Sequence, residues 1–229
     1  MFATTLFDYN GVLVDDEHVH LAAFQDALAP LGISVSETDY WNKYLGFDDE
    51  GAFSAMLGDA GHSPSRTKIA ELIENKKPLY LKRAERELKG FDGAAQLVKA
   101  RAEVGPVVIV SGALREEIAM GLKVLGIEDC IDAIVAAEDT KLSKPDPEGY
   151  LLGLQELEKR LPSHRNSHTV VFEDSIDGIT AAKKAELVCV AFAHSYPQAK
   201  LESTEADLVL NHIRDLDTKD LLSLYARTH

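Results

Sequence analysis

The sequence predicts an α/β fold: a doubly wound parallel sheet interrupted after its first strand by an inserted helical domain. Three observations predict it. From Gly90 onward, short β-branched runs alternate with helical patterns, which implies crossover connections and a parallel sheet with helices on both faces. Between Asp16 and about Glu87 the patterns are helical, with no convincing strand. The first hydrophobic run precedes that stretch, so the core is discontinuous, and the expected domains are 1–15 with 88–229 and, between them, 16–87.

The elements follow in order. Ala3 to Phe7 is an apolar run of strand length. Helical periodicity then covers His18 to Ala29, Glu37 to Tyr44, Asp49 to Asp59 and Ser65 to Leu88, with Pro30, Gly46, Gly61 and Pro64 as turns and helix stops. Strand and helix alternate through Val107 to Val110, Glu116 to Leu125, Ala133 to Ala136, Glu148 to Arg160, Thr169 to Phe172 and Ile176 to Lys184. Leu187 to Phe192, Leu208 to Leu210 and a helix near Lys219 to Ala226 complete the chain. Internal repeats and low-complexity segments are absent from it.

A length of 229 residues suits one domain plus an insertion. Lys and Arg total 24 against 38 Asp and Glu, a formal charge of −14, which argues against nucleic acid or an anionic membrane as partner. An anionic substrate then needs locally placed cations. Cys130 and Cys189 lie far apart in apolar surroundings and are expected to be buried thiols, consistent with a reducing cytoplasm. Met1 leads into the first strand without a basic n-region or a long apolar stretch, so neither a signal peptide nor a transmembrane helix is expected.

Two strand-like runs end in carboxylates. Phe7 is followed by Asp8, and Thr169 to Phe172 by Glu173-Asp174-Ser175, at the sheet edge where open α/β folds bind ligands. Phosphate-ester cleavage needs a nucleophile in line with phosphorus, cations on the equatorial oxygens and a proton donor for the leaving group. Asp8 is the candidate nucleophile, forming an acyl phosphate. Asp8, Asp174, a backbone carbonyl and the substrate phosphate suffice for an octahedral magnesium ion, with Glu173 in support. Ser111 and the N–H groups that follow it, beginning with Gly112, are placed to open a helix and bind phosphate oxygens. Lys144, in the proline-stiffened stretch Lys141 to Pro147, supplies the cation that three carboxylates and a phosphate require. His18 and His20 do not share a helix face and are set aside as a metal pair, while Tyr40, Trp41 and Tyr44 read as a core cluster.

With these residues in order, the chain resembles the haloacid dehalogenase superfamily of phosphatases and phosphomutases, in particular its β-phosphoglucomutase-like branch with a small helical cap. The resemblance rests on Asp8-Tyr9-Asn10-Gly11-Val12-Leu13-Val14-Asp15, Ser111, Lys144-Pro145 and Glu173-Asp174-Ser175-Ile176-Asp177-Gly178. It implies a Rossmann-like core, Asp8 as nucleophile, Ser111 and Lys144 as clamps, and magnesium held by Asp8, Asp174 and the carbonyl of Asn10, with Glu173 close behind. It adds Tyr9, Gly112, Gly46, His20 and Lys76 to the phosphate- and substrate-binding set, and Arg115 as a further cation.

Two departures shape the functional expectation. The family's phosphatases and mutases carry an acid at the position of Asn10, and an amide cannot titrate, so catalysis should be slow. The mutase-like branch carries an Arg where Asp49 stands after Leu45-Gly46-Phe47-Asp48, and the Ser111 loop lacks its Ser-Lys pair. The expectation is therefore a cytoplasmic, monomeric, magnesium-dependent phosphatase of a small phosphorylated metabolite, with the cap selecting the leaving group. A phosphosugar mutase and a weakly active phospho-ligand binder are the alternatives. A phospho-receiver module is too short to match, and a dehalogenase would need a halide cradle.

Overall fold

A computed structural model describes residues 1–63, 65–163 and 165–228. Pro64, expected as a turn, lies outside the described residues. The chain divides into two compact units, Met1–Asp15 with Lys89–His229, and Asp16–Leu88.

In the first unit, strands β1 (Thr4–Phe7) and β2 (Val14–Asp15) precede the helical segment, and β3 (Lys89–Gly90) follows it. Beyond these come β4 (Val107–Val110), β5 (Ala133–Val135), β6 (Thr169–Glu173), β7 (Val188–Phe192) and β8 (Leu208–Leu210). Six of them form one sheet in the order β5-β4-β1-β6-β7-β8, and every pairing is parallel. Residues of β1, β4, β6 and β7 are all buried, whereas the edge strands β5 and β8 are largely half-buried. That gradient is why β4 and β7 are continuous apolar runs, and β6 is apolar between Thr169 and Glu173, rather than alternating. Strands β2 and β3 pair antiparallel, Val14 with Gly90 and Asp15 with Lys89, a ribbon that the sequence patterns did not announce because each strand is only two residues long.

In chain order the helices are α1 (Glu17–Leu28), α2 (Glu37–Asp39), α3 (Asp49–Asp59) and α4 (Arg66–Glu87) in the second unit. The first unit carries α5 (Ala94–Ala102), α6 (Arg115–Leu125), α7 (Glu148–Arg160), α8 (Ile176–Lys184), α9 (Gln198–Leu201) and α10 (Thr218–Thr228). Helix α7 packs on β4 and β5 and α8 on β6 and β7, enclosing Leu6, Val108, Val110, Tyr150, Leu154, Val171, Ile179 and Cys189. Helix α5 escaped the sequence patterns. It buries only Ala94, Val98 and Arg101, and the Arg101 guanidinium reaches Thr5 Oγ1 and the Phe2 carbonyl, each at 2.8 Å, instead of water. Burial lowers that guanidinium to about 10.

Every regular element among the second unit's described residues is helical, packed around Phe24, Leu28, Tyr40, Tyr44, Phe53, Met56 and Leu72. Ser36, Asp48 and Ser65 cap α2, α3 and α4 by accepting backbone N–H groups, the role their short polar side chains suit. Expected as one helix, Glu37 to Tyr44 is a single turn followed by a π-type turn over Tyr40–Tyr44. Trp41 departs from the expected core cluster, being 41% exposed while Tyr40 and Tyr44 are buried. Cys189 is buried, but Cys130, expected to be so, is only half-buried, and both thiols are free. Among the described residues, no helix is long and apolar enough to cross a membrane.

Candidate active site

Strand β1 lies between β4 and β6, and the chain ends of these three strands converge. Asp8 follows β1 directly, and its backbone N–H donates to the Phe172 carbonyl at 2.9 Å, so the carboxylate emerges at a position fixed by the ladder. Ser111 follows β4 and donates its N–H to Val135 at 3.0 Å. Glu173 ends β6, and Asp174 comes next. Lys144 enters from the segment before α7, with Nζ 2.9 Å from Asp8 Oδ1 and 2.6 Å from Glu173 Oε1.

Glu173 is fully enclosed, and its lone pairs are all spoken for. Oε1 also accepts the Tyr150 hydroxyl at 2.6 Å, while Oε2 accepts the N–H groups of Asp174 (3.0 Å) and Ser175 (3.2 Å) and the Ser175 hydroxyl (3.1 Å). Burial opposes its ionisation, but Lys144 and these donors prevail and hold the carboxyl below its ordinary range. The other two carboxyls go the opposite way. Burial raises Asp8 to about 7 against the pull of Lys144, and burial with the Glu173 and Asp8 charges raises Asp174 well above its ordinary value.

Oxygens of Asp8, Glu173 and Asp174 lie within 4.8 Å of one another, and all three residues are buried. Three carboxylates meet one ammonium, an imbalance that leaves the site either protonated or in need of a cation. Oxygen-only donors suit a hard divalent ion such as magnesium rather than zinc or copper. The space is shaped as well: a Cβ at Gly11, whose φ is +73°, would collide with the Asp174 carboxylate, and one at Gly178 with that of Glu173.

Asn10 lies in the turn after Asp8, bridged to Val14, and its Oδ1 accepts the Ser111 hydroxyl at 3.3 Å. Ser111 does not itself open a helix as expected, because α6 begins at Arg115. Its Oγ instead accepts the Ala113 N–H at 3.1 Å, shaping the loop that carries Gly112. Tyr9 is fully buried with its hydroxyl on the Glu117 carbonyl at 3.1 Å and packed against Gly121, which leaves its backbone as the part at the sheet edge. Arg115 is ion-paired with Asp139 and its N–H reaches Glu138, so its charge is already matched.

Among the residues expected in the helical unit, Gly46 occupies a positive-φ turn (+85°). Lys76 and His20 belong to one buried network. Lys76 Nζ stands 2.5 Å from Asp49 Oδ1, 2.9 Å from His20 Nδ1 and 4.4 Å from the Phe24 ring centre, and it has no solvent exposure. His20 Nε2 lies 3.2 Å from Asp16 Oδ2, which accepts the Tyr80 hydroxyl at 2.5 Å. Motif reading missed Tyr150, Ser195 and His194 at the sheet edge. Tyr150 carries no local signal, since its place in α7 is simply that of a core residue.

Over residues 5–192 the sequence matches the haloacid dehalogenase-like hydrolase family. The chain belongs to that family. It is 26% identical to validoxylamine A 7'-phosphate phosphatase of Streptomyces hygroscopicus subsp. limoneus over 94% of this chain and 96% of the relative. It is 27% identical to hexitol phosphatase B of Escherichia coli (strain K12) over 95% of each. Its fold is that of β-phosphoglucomutase from Clostridium difficile, with a TM-score of 0.83, 21% identity and coverage of 99% and 98%. As a haloacid dehalogenase-like hydrolase of β-phosphoglucomutase-like fold, the chain has relatives that are phosphatases of phosphorylated metabolites.

Proposed function

We propose that this haloacid dehalogenase-like hydrolase is a magnesium-dependent phosphatase of a small phosphorylated metabolite, working through an aspartyl phosphate on Asp8 and slowed by Asn10. The observation that carries the reading is the placement of Lys144 Nζ between Asp8 Oδ1 and Glu173 Oε1, at 2.9 and 2.6 Å, beside the acidic Asp174. Lys144 favours the ionised form of Asp8 against the larger effect of burial and offers charge to a phosphoryl oxygen. The Ser111 hydroxyl and the N–H groups of its loop orient the other oxygens. Asp8, Asp174 and the Asn10 carbonyl would hold magnesium, with Glu173 behind them; when bound, the ion neutralises phosphate charge and fixes the phosphoryl group in line.

The Asp8 carboxylate oxygen bonds to phosphorus as the ester P–O bond breaks, and the leaving oxygen takes a proton. Water then attacks phosphorus, the Asp8–phosphorus bond breaks, and phosphate departs with the carboxylate restored. Both half-steps need a proton carrier near the bridging oxygen, and the Asn10 amide carries none to give. General acid–base catalysis is worth ~10²–10⁴-fold, or ~3–5 kcal/mol of barrier. The pairing of Lys76 with Asp49 speaks against a phosphosugar mutase, which would want uncompensated cations for a second phosphate. A phospho-ligand binder without turnover is the second reading, and Asn10 is the residue that favours it.

The test is phosphate release across a panel of small phosphate esters, with magnesium and with excess chelator. Release that needs magnesium supports the phosphatase. Full activity in chelator overturns it and brings back metal-independent dehalogenation as a reaction class.

A further inference from the structure

Beyond β7 the chain turns back at once: Ala193 N–H donates to the Leu210 carbonyl at 2.8 Å and His194 N–H to the Phe192 carbonyl at 2.9 Å. The next two side chains then land on two different parts of the acidic site. His194 Nδ1 lies 2.7 Å from the Gly11 carbonyl oxygen, and the Ser195 hydroxyl donates to Asp174 Oδ2.

The His194 ring has little freedom to be elsewhere. It stacks on Phe91 with centroids 3.9 Å apart and an interplanar angle of 11°, and on Phe192 at 5.8 Å and 18°. Phe192 stacks on Phe172, and Phe172 on Phe7, so the imidazole continues a group of rings rising from the strands that carry Asp8 and Glu173, with Phe91 and His212 also against it. A carbonyl only accepts hydrogen bonds, which assigns the proton to Nδ1. That bond fixes the Gly11 carbonyl, one peptide beyond that of Asn10, in a tight turn (Gly11 φ +73°) whose Gly11 N–H already donates to the Val14 carbonyl at 3.0 Å. Ser195 takes one oxygen of Asp174 and leaves Oδ1 as the oxygen with an uncommitted face.

We infer that Ser195 and His194 are positioning residues of the cation site. Ser195 sets the orientation of the Asp174 carboxylate, and His194 holds the turn that presents the Asn10 carbonyl. The inference rests on the metal reading given above. Hydrogen-bonded partners behind a metal ligand typically change affinity 10–100-fold when removed. Neither residue touches the reacting atoms, so their loss is expected to act on ion binding before it acts on bond breaking.

Manganese binding to the intact protein, followed by the loss of the free-ion paramagnetic resonance signal, reads this without turnover. Ser195→Ala is expected to weaken binding by about tenfold or more, Ser195→Thr to restore most of it, and His194→Phe, which keeps the ring stack but loses the N–H, to weaken it as well. Unfolding midpoints in chelator check that the variants are folded. Variants that are folded and bind manganese as tightly as the parent overturn the inference alone. A parent protein that binds no manganese overturns the metal reading and the inference together.

Discussion

Lys144 Nζ stands 2.9 Å from Asp8 Oδ1, an ammonium that pulls against the burial which raises that carboxyl's affinity for its proton. Asp8 is poised at about 7, so its charge depends on what else occupies the site. The expected behaviour of the variants follows from that balance.

Asn10→Asp is expected to raise phosphate release by ~10²-fold or more on the best ester, with little change in magnesium affinity, because it adds a proton carrier and keeps the backbone carbonyl. Asp8→Asn in that background should abolish turnover. Steady-state kinetics decide it: an unchanged rate would mean that Asn10 does not occupy the acid/base position.

Because Asp8 and Asp174 bind protons more tightly folded than unfolded, they make metal-free stability fall as pH rises above 3.8, with the Asp8 part complete near 7 and Asp174 extending the trend upward. Magnesium reverses the preference by favouring both charged forms. The gain in thermal midpoint on adding magnesium should thus be larger at about pH 8 than at about pH 5. Equal gains at both would contradict the assignment of these carboxyls to the ion.

Gly178→Ala would drive a methyl into the Glu173 carboxylate, which cannot move without losing Lys144 and Tyr150. A cost of ~1–3 kcal/mol is expected in urea unfolding. Gly58→Ala, where a Cβ meets nothing within 4 Å on α3, should instead stabilise by ~0.5–1 kcal/mol. Similar effects at the two sites would show that the collision is relieved.

Lys76→Met removes a cation with no solvent exposure and strands the Asp49 carboxylate beside an apolar chain, at an expected ~3–5 kcal/mol. The double variant Lys76→Met with Asp49→Ala should recover part of it. Trp41, the only tryptophan, sits in this helical unit and reports its unfolding by fluorescence. A double variant as unstable as the sum of its parts would mean that the two charges do not depend on each other.

Much of the fold was legible because its signals are local. Val107–Val110, Asp49–Asp59 and Ile176–Lys184 announce themselves by runs and periodicity, and a parallel strand buried on both faces is predominantly apolar. Helix α5 and the two-residue ribbon were not, since neither is long enough or apolar enough to show a period. Pro78 stands inside α4, where the flanking pattern outweighs one broken hydrogen bond.

By itself, the sequence determined the α/β class, the family and the acidic residues that end β1 and β6, because chemistry at a strand end is written in consecutive residues. Only the tertiary structure decided the partners. Lys76, which the resemblance put in the phosphate-binding set, is buried on Asp49, Tyr9 turns its hydroxyl to the Glu117 carbonyl, and Ser195 reaches Asp174 from a turn with no motif. Those contacts join residues far apart in the chain, and a desolvated charge or hydroxyl is defined by what packing brings to it, which no local pattern records.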